Sequence, residues 1–301
     1  MESIFQDNKY PETKIDSPKD INFTGWKSIL TNVKDQIGKN NVIIVSAGIA
    51  FFGFLSIFPG IMALVSIFGL TMDPQLIDEQ LNRISSMVPE EVYGIIEKRV
   101  ENFINTTGNT LGWGTAFGIL FGIWSANKGT KSLFTGVDIA YRSKSYRGLI
   151  KQNALTLLFT FGAIILLILS VILIVAFPAL VDNFGLPTNL QNIISWTRWL
   201  IMALISVFCI SLVYIFAPVR PRQRVKWVLT GAMVATILWL LASWGFSYFI
   251  SNFGNYGEIY GSLSAVVVLM LWLYLTSLII ILGAELNSEI EKYTDNYPGT
   301  N

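Results

Sequence analysis

Tyr256-Gly-Glu-Ile-Tyr-Gly-Ser-Leu-Ser-Ala265, an apolar run reaching Leu282, and then Gly283-Ala-Glu-Leu-Asn287 form the stretch whose reading decides the fold. From Ser262 to Gly283 there are 22 residues without a charge. At about 1.5 Å of helix rise per residue they reach about 33 Å, enough to cross a hydrocarbon core of about 30 Å. A glycine-rich lead-in carries Glu258 on one side, and Glu285 closes the run on the other. An uncharged run of this length between polar ends predicts a membrane-crossing helix.

The rest of the chain has the same character. Hydrophobic residues make up 52% and charged residues 14%, against about 25% charged in soluble domains. That deficit points to lipid as the solvent, and the positive mean hydropathy of +0.54 agrees. A net charge of +1 gives no bulk attraction to nucleic acid, and none is expected as a partner. The sequence has no histidine and one cysteine, Cys209. The commonest metal ligand and general base is therefore missing, and no intrachain disulfide can form. Neither Gly-x-x-x-x-Gly-Lys-Ser/Thr nor Gly-x-Ser-x-Gly occurs, so no phosphate loop or nucleophile elbow is predicted. The expectation is a protein that is not an enzyme, with no cofactor and no metal.

Outward from the opening stretch, the reading is an all-α integral membrane protein with six transmembrane helices. The spans fall at about 42–70, 111–127, 153–180, 196–219, 227–252 and 260–284. Residues 1–40 read as a polar N-terminal segment without a signal peptide. Within it, Ile21 to Val33 forms either a short amphipathic surface helix or a loosely ordered tail. Pro59-Gly60 inside the first span predicts a kink or break near Phe58–Gly60. Such a site is either a simple packed kink or a broken helix exposing backbone to a substrate. Residues 74–106 alternate charges with apolar residues at helical spacing, which predicts amphipathic extramembrane helices between spans one and two. Gly114, Gly118 and Gly122 repeat every four residues, so they share one helix face. Close packing within the monomer and a homo-oligomer seam both suit that face.

Basic residues set the orientation. Six lysines lie in residues 1–40, six Lys and Arg between Lys128 and Lys151, four in 220–226 and one in the tail. That places 17 of the 21 on one side. By the positive-inside rule both termini are cytoplasmic, with residues 288–301 as a cytoplasmic tail. Membrane lipids are the expected partners, with anionic headgroups meeting the basic loops.

Ala50-Phe-Phe-Gly-Phe-Leu-Ser-Ile-Phe-Pro59, Gly122-Ile-Trp-Ser-Ala126 with Gly129 and Tyr141, and the long block from Val225 to Asn287 together resemble a known pattern. In order and spacing they are similar to the YihY/BrkB family of bacterial inner-membrane proteins, over roughly residues 30–290. Asp138 stands where that family more often has an amide. The resemblance implies a six-helix protein of the bacterial cytoplasmic membrane without an established activity. Members have also been labelled ribonuclease BN, a label that this sequence, lacking histidine and a metal cluster, does not support.

The expected function is transport or lipid handling, and the alternative is a non-transporting scaffold for envelope integrity. Polar and ionisable groups inside membrane spans are costly unless paired or solvated, which makes them candidates for a pathway. They are Asn127, Lys128, Asp138, Arg198, Glu258 and Glu285. Lys128 and Glu285 fall at predicted cytoplasmic ends, where simple exposure would also satisfy them. Substrate, energy coupling and protein partners are not legible.

Overall fold

The computed structural model describes residues 18–71, 110–143, 147–171, 188–219, 225–253 and 263–295. All regular structure in these segments is helical: a 3₁₀ turn at Pro18–Asp20 and seven α-helices. They are α1 (Phe23–Lys39), α2 (Val42–Thr71), α3 (Thr110–Ala140), α4 (Leu149–Val171), α5 (Thr188–Phe216), α6 (Val225–Phe253) and α7 (Ser264–Asp295). The segments 74–106 and 254–261 lie outside the described residues, so the amphipathic helices and the glycine-rich lead-in do too.

Among the described residues four helices, α4 to α7, are long and apolar enough to cross a membrane. The count reaches five if α1 and the first part of α2 form one bent span. Length and composition of the described residues thus show four to five of the six expected crossings. In α3 the apolar first half continues without a break into a second half holding Asn127, Lys128, Lys131 and Asp138. The span expected to end at residue 127 is thus part of a 31-residue helix.

α1 settles the choice between a surface helix and a loose tail. Asn22 caps it by accepting a hydrogen bond from the Gly25 amide at 2.7 Å, which satisfies one of the orphan donors of the first turn. Gly25, Ile29 and Val33 form its buried stripe. They pack on Leu286, Ile290 and Tyr293 of α7 and on Trp227 of α6. Burying an aliphatic side chain of this size contributes roughly 1.5–3 kcal/mol, so this face docks firmly. The chain then turns through 63° into α2, with Asn41 at φ 49°, a left-handed conformation that asparagine tolerates better than most residues.

The bend therefore sits at Asn40–Asn41. At Pro59-Gly60, where a kink or break was expected, α2 continues as one helix with the proline inside it.

Six helices alternate in direction. The turn before α2, the end of α3, the end of α5 and the start of α6 each bond to residues 280–289 of α7. The start of α4 is tied to the same level, because Arg147 donates to the Phe216 carbonyl at the end of α5. α1 docks there as well, so the first and last described helices meet at one end of the bundle. The segment read as a tail from residue 288 is helical to Asp295 and packed against α1. Elsewhere α4, α5 and α6 carry large apolar side chains outward, Leu158, Phe208 and Trp244 among them.

Candidate functional site

The quoted motif Gly283-Ala-Glu-Leu-Asn287 is the point of convergence, and helix packing explains why. Gly283 faces Gly231 of α6, and a Cβ on either would collide with the other helix's backbone oxygen. Glycine is needed here because the two backbones touch. That contact lets Asn287 reach the α6 main chain. Its Oδ1 accepts from the Gly231 amide at 2.7 Å, and its Nδ2 donates to the Val228 carbonyl at 3.0 Å. One turn before Ala284, Tyr214 of α5 donates its hydroxyl to the Ile280 carbonyl at 2.6 Å.

Glu285, on another face of the same turn, is fully buried. Asn40 donates its side-chain amide to Oε1. Nη2 of Arg142 lies 3.2 Å from Oε2 and 2.7 Å from Oε1 of Glu289. Lys292, largely exposed, adds a contact to Glu289 at 3.3 Å. One guanidinium thus serves two carboxylates four residues apart on α7. Arg142 holds φ 52°, just past the end of α3, where the Ser143 amide donates to the Asp138 carbonyl and the Arg142 amide to that of Ile139. This left-handed cap, a position usually given to glycine, turns the arginine inward.

The sequence candidates are placed as follows. Asn127 is buried between α3 and α4, 3.5 Å from the Thr160 hydroxyl, and Thr130 and Thr160 are 2.8 Å apart beside it. Lys128, next in sequence, points the other way and rests its ammonium 4.0 Å from the Trp124 ring centre. Asp138 accepts from the Val219 amide at 3.0 Å and so anchors the chain after α5. No hydrogen bond or ion pair joins any two of Asn127, Lys128, Asp138 and Glu285. The Arg198 side chain and Glu258 lie outside the described residues. Simple exposure at a helix end does not describe Glu285. Among the glycines, Gly122 is buried, and Gly114 and Gly118 lie on the same helix.

Two arginines expected in a headgroup-facing loop are committed inside the protein: Arg142 to α7, and Arg147 to the carbonyls of Phe216 and Pro218. Asn40, Arg142, Asn287 and Glu289 were not singled out by sequence. A usable signal existed for one of them. Glu285 and Glu289 share a helix face at i, i+4, and the apolar Leu286 and Ile290 beside them mark that helix end as packed, which calls for an internal cation.

Among the described residues no group of three or more His, Cys, Asp or Glu could hold a metal.

The sequence profile of the family described as Virulence factor BrkB matches residues 33–300. The chain is 30% identical over 252 residues to YfkH of Bacillus subtilis (strain 168), a protein carrying a ribonuclease-like label; the match covers 82% of this chain and 89% of that one. A UPF0761 membrane protein of Xanthomonas campestris pv. campestris is 40% identical over 85 residues, 28% of this chain and 20% of its own length. No solved structure matches.

Proposed function

This chain belongs to the Virulence factor BrkB family, and we propose that it works in the bacterial inner membrane as a transporter or lipid-handling protein. In this reading α2 to α7 are the six crossings, both termini are cytoplasmic, and the protein catalyses no covalent chemistry. The excess of basic residues in the loops that meet at the α7 end supports that orientation.

One observation carries the functional reading. Glu285 and Glu289 share a single arginine in a cluster contributed by the α1–α2 turn, the end of α3 and α7. Charges withdrawn from water near a membrane cost several kcal/mol unless paired, and they mark functional sites by default. Glu285 has only Arg142 as a cation, whereas Glu289 also has the exposed Lys292, and three separate helical elements depend on the cluster. A proton or cation that joins or leaves the cluster would shift how those elements sit against each other. Coupling between an ion and helix movement of this sort is what a transporter requires. The scaffold alternative has less to draw on, since Arg142 and Arg147 are unavailable to a docked partner.

The test is a deletion strain complemented with wild type or with Glu285→Gln. Deletion is expected to change solute uptake or efflux, or the lipid composition of the membrane. Glu285→Gln, which keeps the shape and removes the charge, is expected to express and to leave the defect uncorrected. Deletion without effect on any of the three would overturn the reading.

A further inference from the structure

Away from the α7 cluster, α2 and α3 leave a groove of about 410 Å³ open along their outer side, within the usual ~300–1,000 Å³ of small-ligand pockets. Its α3 wall is one helix face at spacings of three and four: Lys128, Lys131, Ser132, Thr135, Gly136 and Ile139. The α2 wall is Val45, Ile49 and Phe52, again on one face. Gly136 keeps the floor low, because a Cβ there would meet Ile49 and Val45.

The two walls differ in chemistry. α2 offers only hydrocarbon, whereas α3 offers two ammonium groups and two hydroxyls. Lys131 is half-buried and Lys128 exposed, and among the described residues neither forms an ion pair. The ring contact of Lys128 with Trp124 leaves its charge in place. Counted back from Ala140 at about 1.5 Å per residue, Lys131 and Lys128 lie roughly 14 and 18 Å along α3 from the end that holds the α7 cluster. Cations at that distance, beside a hydrocarbon wall and with no carboxylate among the described lining residues, call for an anion that arrives together with an apolar chain.

We propose that the α2–α3 groove binds one anionic phospholipid of the surrounding bilayer. The phosphate sits between Lys128 and Lys131 with Ser132 and Thr135 beside it. An acyl chain lies along Val45, Ile49 and Phe52. Charge complementarity selects the occupant: a zwitterionic lipid brings a cation of its own toward the lysines, and free phosphate leaves the apolar wall uncovered. The site holds whether this lipid is cargo or a permanent part of the protein, so it goes beyond the function proposed above.

The experiment uses the full chain in detergent, with phosphatidylglycerol and phosphatidylcholine of equal chain length titrated in and bound lipid counted by native mass spectrometry. Phosphatidylglycerol is expected to bind at one saturable site. Loss of two charge-assisted contacts in the Lys128→Gln/Lys131→Gln pair is expected to weaken it at least about tenfold, with phosphatidylcholine unchanged. Thr135→Trp, which fills the groove from its exposed side and keeps both lysines, is expected to weaken phosphatidylglycerol as much. Equal binding of the two lipids, undiminished binding in either variant, or displacement by inorganic phosphate would overturn the proposal. Each readout is independent of the deletion phenotype, so this site and the transport reading can fail separately.

Discussion

The α7 cluster and the α2–α3 groove each bring charged side chains into a largely apolar protein, and they resolve the cost in opposite ways. At Glu285 both partners are internal: Asn40 and Arg142 are supplied by the fold. At Lys128 and Lys131 the described residues supply an aromatic face and hydroxyls but no counter-charge. The first arrangement ties helices together, and the second leaves an electrostatic demand for something outside the chain. A charge thus reports on architecture where the fold supplies its partners, and on a proposed ligand where the described residues supply none.

Replacing one partner in each region sharpens this contrast. Arg142→Ala should have the largest effect. It leaves Glu285 buried beside Glu289 without a cation and should destabilise the protein by about 3 kcal/mol, the lower end for a broken buried pair because the arginine is partly exposed. Adding Glu285→Gln to Arg142→Ala should restore a good part of that loss. Thermal unfolding in detergent measures both, and equal stability of wild type and Arg142→Ala would break the comparison.

Tyr214→Phe comes next. It frees the Ile280 carbonyl of its partner at the same level of α7, with an expected cost of about 1 kcal/mol. The smallest effect on stability belongs to the groove. Lys128→Gln and Lys131→Gln should change the unfolding temperature of lipid-free protein little, since among the described residues only the exposed ring contact of Lys128 with Trp124 is lost. A marked drop would show that the lysines serve the fold, as Arg142 does.

Much of the architecture was legible in the sequence, because it follows from composition and period. Uncharged runs longer than the bilayer is thick predict the helices around residues 153–180, 196–219, 227–252 and 260–284, and α4 to α7 lie there. The amphipathic stripe of Ile29 and Val33 was visible, and so was the family pattern. Positions where polar and apolar signals compete were read less well. Asn127 and Lys128 looked like the end of a span, yet helix propensity and packing on α2 carry α3 on to Ala140. Pro59 lies inside a helix that is not broken there, and the 63° turn at Asn40–Asn41 carried no such signal.

The candidate site shows the same division. Sequence picked out Glu285, because a carboxylate ending an apolar run is conspicuous, and it assigned Arg142 and Arg147 to an open basic loop on charge counting alone. Glu285 lies 143 residues from Arg142 and 245 from Asn40, and no local period links residues that far apart. By itself the sequence determined the solvent, the helices and the family, since each depends on the local density and spacing of apolar side chains. Only the tertiary structure decided which charges are satisfied within the described residues and which are not, because pairing depends on which helix ends meet.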